Sequence, residues 1–240
     1  MINILIAVGQ TTQPYGSLSN TQSVRDELGI AMKNGVQNAY SLPKRYEGVR
    51  GTPFYYDQWS EGVLCLRADS SIVDNQKVKY KFDSYINELW ILNIKDSLIA
   101  FSKDIYWFVL KQGDKQEIFE KYPKQAVDNP AKFYNTLHKG NKFIFVKEIK
   151  KTLTRADYVD KGMYTAGKPY DRFEEKDEYF IAKGKNSFEK LKLNTKSIQK
   201  ILPKDVQRNV KSYCKKYDLN GKLTEDQAIQ LLVYAESIIK

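Results

Sequence analysis

Apolar residues in the central part of the chain recur mostly at every second position, in short runs separated by turn residues. In the segment Val73–Phe82, Val78, Tyr80 and Phe82 alternate with three lysines. Such alternation is typical of a β-strand with one buried face. We therefore predict one strand over Val73–Phe82, followed by a turn over Asp83–Asn87.

Similar runs predict further short strands on both sides of this one. They cover Val63–Leu66, Glu88–Asn93, Ser97–Phe101, Ile105–Leu110, Phe133–His138 and Phe143–Ile149, with a hairpin over Arg172–Lys183 that turns at Glu175–Asp177. The gaps are short, and a parallel crossover needs a dozen residues or more, so neighbouring strands should be antiparallel. The predicted fold class is mainly β (α+β): an antiparallel meander of roughly eight to ten strands, curled as a half or full barrel.

The apolar spacing changes to a helical one near the C-terminus. Ser197–Leu202 predicts a short helix that stops at Pro203, and Asp205 is placed to cap the next helix. A last helix should begin at Thr224, which forms a capping box with Gln227. The sequence thus adds two or three C-terminal helices to the meander.

The N-terminus is typical of an exported protein. Met1–Gly9 is apolar and ends in small residues, like the tail of a signal peptide, although a buried first strand is the alternative. We divide the chain into a signal remnant and linker (1–20), a β-rich domain with an N-terminal helix (21–185) and a basic helical segment packing on the sheet (186–240). The expected location is periplasmic, outer-membrane-associated or secreted.

Positive charge is concentrated in the helical segment. The chain carries a net charge of +10, and the stretch Lys185–Lys222 holds 11 cations against three carboxylates. We predict a basic patch there, formed by Lys200, Lys204, Arg208, Lys211 and Lys215. Such a patch is either a solvated helix face or a surface that meets anionic envelope glycans or lipid.

The aromatic content, with 17 Tyr, 11 Phe and 3 Trp, favours strands. Trp90 and Trp107 are predicted to point into the curled interior, where an apolar ligand would bind. No apolar run is long enough to form a membrane-spanning helix. Alternation of lysine with aromatic residues is ordinary for a half-exposed strand, so we expect no nucleic-acid partner.

Few residues in the sequence suggest catalysis. His138 is the only histidine, which excludes zinc sites built on two or three histidines. The acidic residues Glu174, Glu175, Asp177 and Glu178 are expected at a solvated hairpin tip. Cys65 and Cys214 are expected to be buried free thiols, with a bridge as the alternative. We predict no metal, no cofactor and no enzymatic activity.

A family resemblance adds to this picture. The run Gly51–Gly62, which reads GTPFYYDQWSEG, resembles a motif of uncharacterised exported proteins common in Bacteroidetes. The segments Tyr80–Leu89 and Lys200–Lys204 match further parts of that family's pattern. The resemblance implies a location in the cell envelope or outside the cell, and it implies no activity.

Three functional hypotheses follow. The first is a non-catalytic envelope protein that binds a protein partner or an apolar ligand. The second is a basic interaction module for anionic envelope glycans or lipid. The third is an unrecognised hydrolase, which requires His138 to lie in a cleft within hydrogen-bond reach of Ser, Cys, Asp or Glu.

Overall fold

The structure is a computed structural model, and it describes residues 48–66, 72–74, 78–92, 98–101, 105–160, 162–184 and 187–239. The predicted signal remnant, the linker and the predicted N-terminal helix lie outside these residues. The strands are β1 (Glu61–Leu66), β2 (Ile72–Asp74), β3 (Lys79–Asp83), β4 (Glu88–Leu92), β5 (Leu98–Phe101), β6 (Ile105–Gln112), β7 (Lys115–Glu120), β8 (Tyr134–Lys139), β9 (Phe143–Thr154), β10 (Val159–Asp160), β11 (Thr165–Ala166), β12 (Arg172–Lys183) and β13 (Glu189–Leu191). The helices are α1 (Thr195–Ile201), α2 (Lys204–Lys216) and α3 (Glu225–Ile238).

The strands form a large sheet, a small sheet and a short two-stranded ribbon. The large sheet has the order β13-β12-β9-β8-β7-β6-β1-β2, the small sheet β3-β4-β5 and the ribbon β10-β11. All of these pairings are antiparallel, so the predicted mainly β fold with C-terminal helices is confirmed. In the part of the chain that the structure describes, β13 and β2 are the two edge strands of the large sheet and do not pair with each other, so the sheets do not close into a barrel.

The small sheet covers one end of the large sheet, on what we call the inner face. Aromatic rings fill the contact: Phe82 of β3 lies 5.3 Å from Phe108 and 5.0 Å from Phe119, measured between ring centroids. Phe108 and Phe119 are cross-strand partners on β6 and β7, and their rings are stacked. Large aromatic side chains supply much buried apolar area and prefer such offset and edge contacts.

The helices cover the other end of the inner face. Phe145 of β9 and Ile181 of β12 form one buried cluster with Val210 of α2 and Leu231 of α3. Between the helices and the small sheet runs a lead-in segment, residues 48–60, which has irregular backbone. The lead-in segment bonds to the start of β12 at Arg50 and bridges to β3 at Phe54.

Three strand predictions were wrong. The predicted strand Val73–Phe82 is two strands, β2 and β3, which belong to different sheets. The predicted hairpin over Arg172–Lys183 is one continuous strand, β12, which pairs with β9 along its whole length. Strand β7 was not predicted, because its sequence KQEIFE has few apolar residues and only Phe119 is fully buried.

Candidate functional site

A row of cations runs along α2. Lys204, Arg208, Lys211 and Lys215 are spaced by four, three and four residues, which places them on one face of the helix. Lys200 lies in the last turn of α1, just before them. All five side chains are exposed. The structure thus brings the five predicted basic residues onto adjoining helical turns, and we call them the cationic stripe.

The opposite face of α2 explains why the stripe points to solvent. Val206, Val210 and Cys214 are buried on that face, in the core shared with α3 and the large sheet. Asp205, predicted as the cap of this helix, lies in its first turn, and the capping position is Pro203. Cys214 and Cys65 of β1 are both buried and do not form a disulfide with each other, as predicted.

The charges of the stripe are not neutralised by neighbouring side chains. None of the five forms an ion pair with any carboxylate among the residues that the structure describes. Lysines of the sheet differ, since Lys150 and Lys190 both contact Glu178. A row of like charges without counter-charges attracts anions from solution.

Beside the stripe, an open groove of about 370 Å³ lies between α2 and α3. Tyrosines form much of its surface: Tyr213 is stacked on Tyr234, with ring centroids 3.9 Å apart, and lies 4.5 Å from Tyr217. Tyr217 is the most open of the three, with 48% of its surface exposed. The remaining lining residues are polar or basic: Asn209, Ser212 and Lys216. We call this the tyrosine groove.

His138 is bonded to a carboxylate that has other partners. Its Nε2 lies 3.2 Å from Glu236 Oε2, near the C-terminal end of α3. The other oxygen of Glu236 accepts hydrogen bonds from the backbone N–H groups of Lys142 and Phe143. A Cβ atom at Gly140 would collide with this carboxylate, so a larger residue there would displace the Glu236 carboxylate from its present position. The arrangement fastens α3 to the β8–β9 hairpin.

A second polar cluster lies where α3 meets the inner face. Lys147 of β9 is nine-tenths buried and donates a 3.0 Å hydrogen bond to Glu225, which also accepts one from the Tyr179 hydroxyl. Asp177 lies 3.9 Å from the same ammonium group, and burial raises the pKa of its carboxyl. The Tyr55 ring of the lead-in segment lies 5.9 Å from the Lys147 ammonium, and burial raises the pKa of its hydroxyl. We call Tyr55, Lys147, Asp177, Tyr179 and Glu225 the polar junction.

The acidic run of β12 is divided between the two faces of the sheet. Glu175 and Asp177 face inward, toward Lys151 and Lys147, whereas Glu178 faces outward. Glu178 forms a 2.6 Å ion pair with Lys150 and a 2.7 Å ion pair with Lys190. These hydrogen bonds lower the pKa of the Glu178 carboxyl to about 2. The predicted solvated hairpin tip is therefore wrong.

Trp90 and Trp107 lie on different sheets. On β4, Leu89 and Ile91 lie opposite Phe82 and Tyr80 of β3, which face the large sheet. Trp90 stands between Leu89 and Ile91, so its side chain faces away from the large sheet. Its ring contacts Phe54 of the lead-in segment instead.

Trp107 alternates in the same way with Phe108, which contacts the small sheet, so Trp107 lies on the outer face. The structure thus does not place the two tryptophans in one common cavity. Ligand binding by either of them stays a prediction.

The sequence reasoning missed the tyrosine groove and the polar junction. A lysine inside the apolar run Phe143–Ile149, and on the same face as Phe145, was a sign of the junction. No sequence pattern joined Tyr217 to Tyr234.

Within the described ranges, no group of three His, Cys, Asp or Glu side chains is arranged to hold a metal ion. No helix in those ranges is long and apolar enough to cross a membrane.

Comparison with models of protein families, with curated proteins and with solved structures finds no match. The resemblance to exported Bacteroidetes proteins therefore stays a prediction. Any functional assignment depends on the geometry of the cationic stripe, the tyrosine groove and the polar junction.

Proposed function

We propose that this protein is a non-catalytic protein of the cell envelope that binds an anionic envelope polymer or surface through the cationic stripe. The observation that carries the proposal is the row Lys204, Arg208, Lys211 and Lys215, exposed on one face of α2 and unpaired within the described residues. The four positions span about 16 Å along the helix axis, given a rise of 1.5 Å per residue.

The buried face of α2 supports this assignment. Because the helix is held in the core, its cations stay in a row and do not have to be ordered when an anion binds. Preorganised charges lose less conformational entropy on binding than charges on a flexible tail. Such a row favours extended anions, glycan or lipid, whose charges repeat along a line or over a surface.

The other hypotheses have weaker support. A hydrolase would need His138 free to act as a base, but its carboxylate partner also holds two backbone N–H groups, as expected of a structural link. An apolar ligand between the two sheets would have to displace the stacked rings of Phe108 and Phe119 and the ring of Phe82.

The test compares two variants that each remove four positive charges. The stripe variant carries Lys204→Gln, Arg208→Gln, Lys211→Gln and Lys215→Gln. Binding is measured to polygalacturonate and to vesicles containing phosphatidylglycerol, with neutral dextran and phosphatidylcholine vesicles as blanks. We expect the stripe variant to bind the anionic probes about a thousandfold more weakly, since each of the four cations near an anionic surface contributes about 1 kcal/mol.

The matched control removes four scattered exposed lysines through Lys124→Gln, Lys142→Gln, Lys168→Gln and Lys183→Gln. This control should keep most of the affinity, because net charge falls equally but the stripe is intact. Equal losses in both variants would contradict the proposal, as would a wild-type protein that binds neither anionic probe.

A further inference from the structure

The tyrosine groove has the composition of a small ligand site. Its volume of about 370 Å³ suits one ring-sized group. Tyr213 and Tyr234 are stacked on each other, so their faces are largely taken up. Tyr217, the outermost ring, is 48% exposed, and the Lys216 ammonium group lies over it, so a stacking ligand would have to move the flexible Lys216 side chain aside.

The groove is also suited to an anion with hydrogen-bonding groups. Asn209 and Ser212 line it with an amide and a hydroxyl, and Lys216 adds an ammonium group 5.1 Å from the Tyr217 ring. None of its six lining residues is acidic. A ligand with both hydroxyls and a negative charge would match this lining.

The groove adjoins the cationic stripe on the same helix. Ser212 follows Arg208 by one turn and donates a hydrogen bond to its carbonyl oxygen, while Lys216 directly follows Lys215. Because consecutive helical residues point in different directions, a polymer lying along the stripe would have to cross the flank of α2 that carries Ser212 and Lys216 before one of its units reached Tyr217. This adjacency links the groove to the charge pattern of α2.

We propose that the tyrosine groove binds one sugar ring of an acidic polysaccharide, with a uronic acid as the recognised unit. The C–H face of the ring stacks on Tyr217, its hydroxyls bond to Asn209 and Ser212, and its carboxylate pairs with Lys216. This inference rests on the proposed function, and it identifies glycan as the anion that the stripe meets. Single-stranded nucleic acid fits less well, because it needs successive open stacking platforms along a groove.

The experiment measures binding of a short galacturonic acid oligomer to wild-type protein, Tyr217→Ala and Tyr217→Phe. Tyr158→Ala is the matched control, because Tyr158 has the same 48% exposure but lies away from α2. We expect Tyr217→Ala to weaken binding about tenfold. Tyr217→Phe should keep the affinity because it keeps the ring, and Tyr158→Ala should change nothing.

Three further probes identify the ligand class. The methyl-esterified oligomer should bind more weakly than the acid to wild-type protein, and this difference should be smaller for Lys216→Gln, in which only the stripe still meets carboxylates. Vesicles containing phosphatidylglycerol should bind Tyr217→Ala as well as wild type, since a lipid surface does not need the groove. A single-stranded DNA oligonucleotide should bind without dependence on Tyr217.

Several outcomes would overturn the inference. They are equal binding of acid and methyl ester by wild type, no loss in Tyr217→Ala, or DNA binding that is tighter and needs Tyr217. If the stripe variant loses oligomer binding while Tyr217→Ala keeps it, the proposed function stands and only the sugar subsite fails. If wild-type protein binds none of the anionic probes, both fail.

Discussion

Lys147 carries a buried charge at the point where α3 meets the large sheet. Its ammonium group has Glu225 at 3.0 Å and Asp177 at 3.9 Å, so the charge is compensated from two elements. Removing a buried charge while its partners stay in place leaves carboxylates in an environment with too little water to solvate them. The residue therefore links β9, β12 and α3.

We expect Lys147→Ala to lower the free energy of unfolding by about 2 kcal/mol, less than a fully buried pair would cost, because Asp177 and Glu225 are partly exposed. Urea unfolding measures this as a lower midpoint with an unchanged slope. Lys139→Ala, which breaks an exposed pair with Glu120, is the control and should cost at most about 0.5 kcal/mol. Equal losses in the two variants would refute the role of Lys147.

Which residues are exposed could be predicted from the sequence more readily than which residues contact each other. The stripe was predictable, because helical spacing and charge are both local properties. Burial of Lys147 was not, because it depends on α3, some eighty positions further along the chain, covering that point of β9. His138 could be singled out as unique, but its bond to Glu236 also joins distant segments.

At the scale of elements, ion pairs link β12 to the strands on both sides of it. Its outward Glu178 contacts Lys150 of β9 and Lys190 of β13, so one carboxylate ties three strands together. Opposite charges on neighbouring strands stabilise a sheet. A hairpin was predicted here because acidic and basic residues are common in turns, whereas cross-strand pairing favours a continuous strand.

The Glu178 pairs predict a pH dependence. A carboxyl whose pKa falls to about 2 on folding contributes stability that is complete above the unfolded pKa, near 4.5, and is lost as pH falls through 2. Glu178→Gln should thus lower the free energy of unfolding by about 1 kcal/mol at pH 7, and this difference from wild type should shrink between pH 4.5 and pH 2. Thermal unfolding over that range measures it.

The control for this titration is Glu189→Gln, which removes a carboxylate from the neighbouring strand and none of the described ion pairs. Burial raises the pKa of Asp177, so the contribution of this residue to the free energy of unfolding becomes more favourable as pH falls. Asp177 is present in all three proteins, so its contribution cancels when they are compared. A wild-type minus Glu178→Gln difference that stays constant with pH would contradict the assignment.

Local sequence patterns predicted where most helices and strands lie, but not which strands pair with each other. Strands β4, β5, β6 and β8 and all three helices fall close to the predicted bounds, since each has a strong apolar period or a cap such as Thr224. The split of Val73–Phe82 between two sheets was not foreseeable, because alternation shows which side of a strand is buried and not which sheet it joins.

At the scale of the whole molecule, one face of the large sheet is covered in turn by the small sheet, the lead-in segment and the helices. Layered packing of this kind buries the apolar face of the sheet and leaves the outer side of the helical layer free. The five exposed cations of the stripe lie on that free side, at positions that packing does not require to be basic. This separation of packing from charge is the basis for assigning a binding role to α2.

The salt dependence of polygalacturonate binding tests the central claim most directly. If the stripe neutralises several charges of the polymer, the logarithm of the association constant should fall linearly with the logarithm of NaCl concentration. The stripe variant, which removes four cations, should then show a slope shallower by about 3, and the scattered-lysine control should keep the wild-type slope. Equal slopes for wild type and stripe variant, or binding indifferent to salt, would contradict the account.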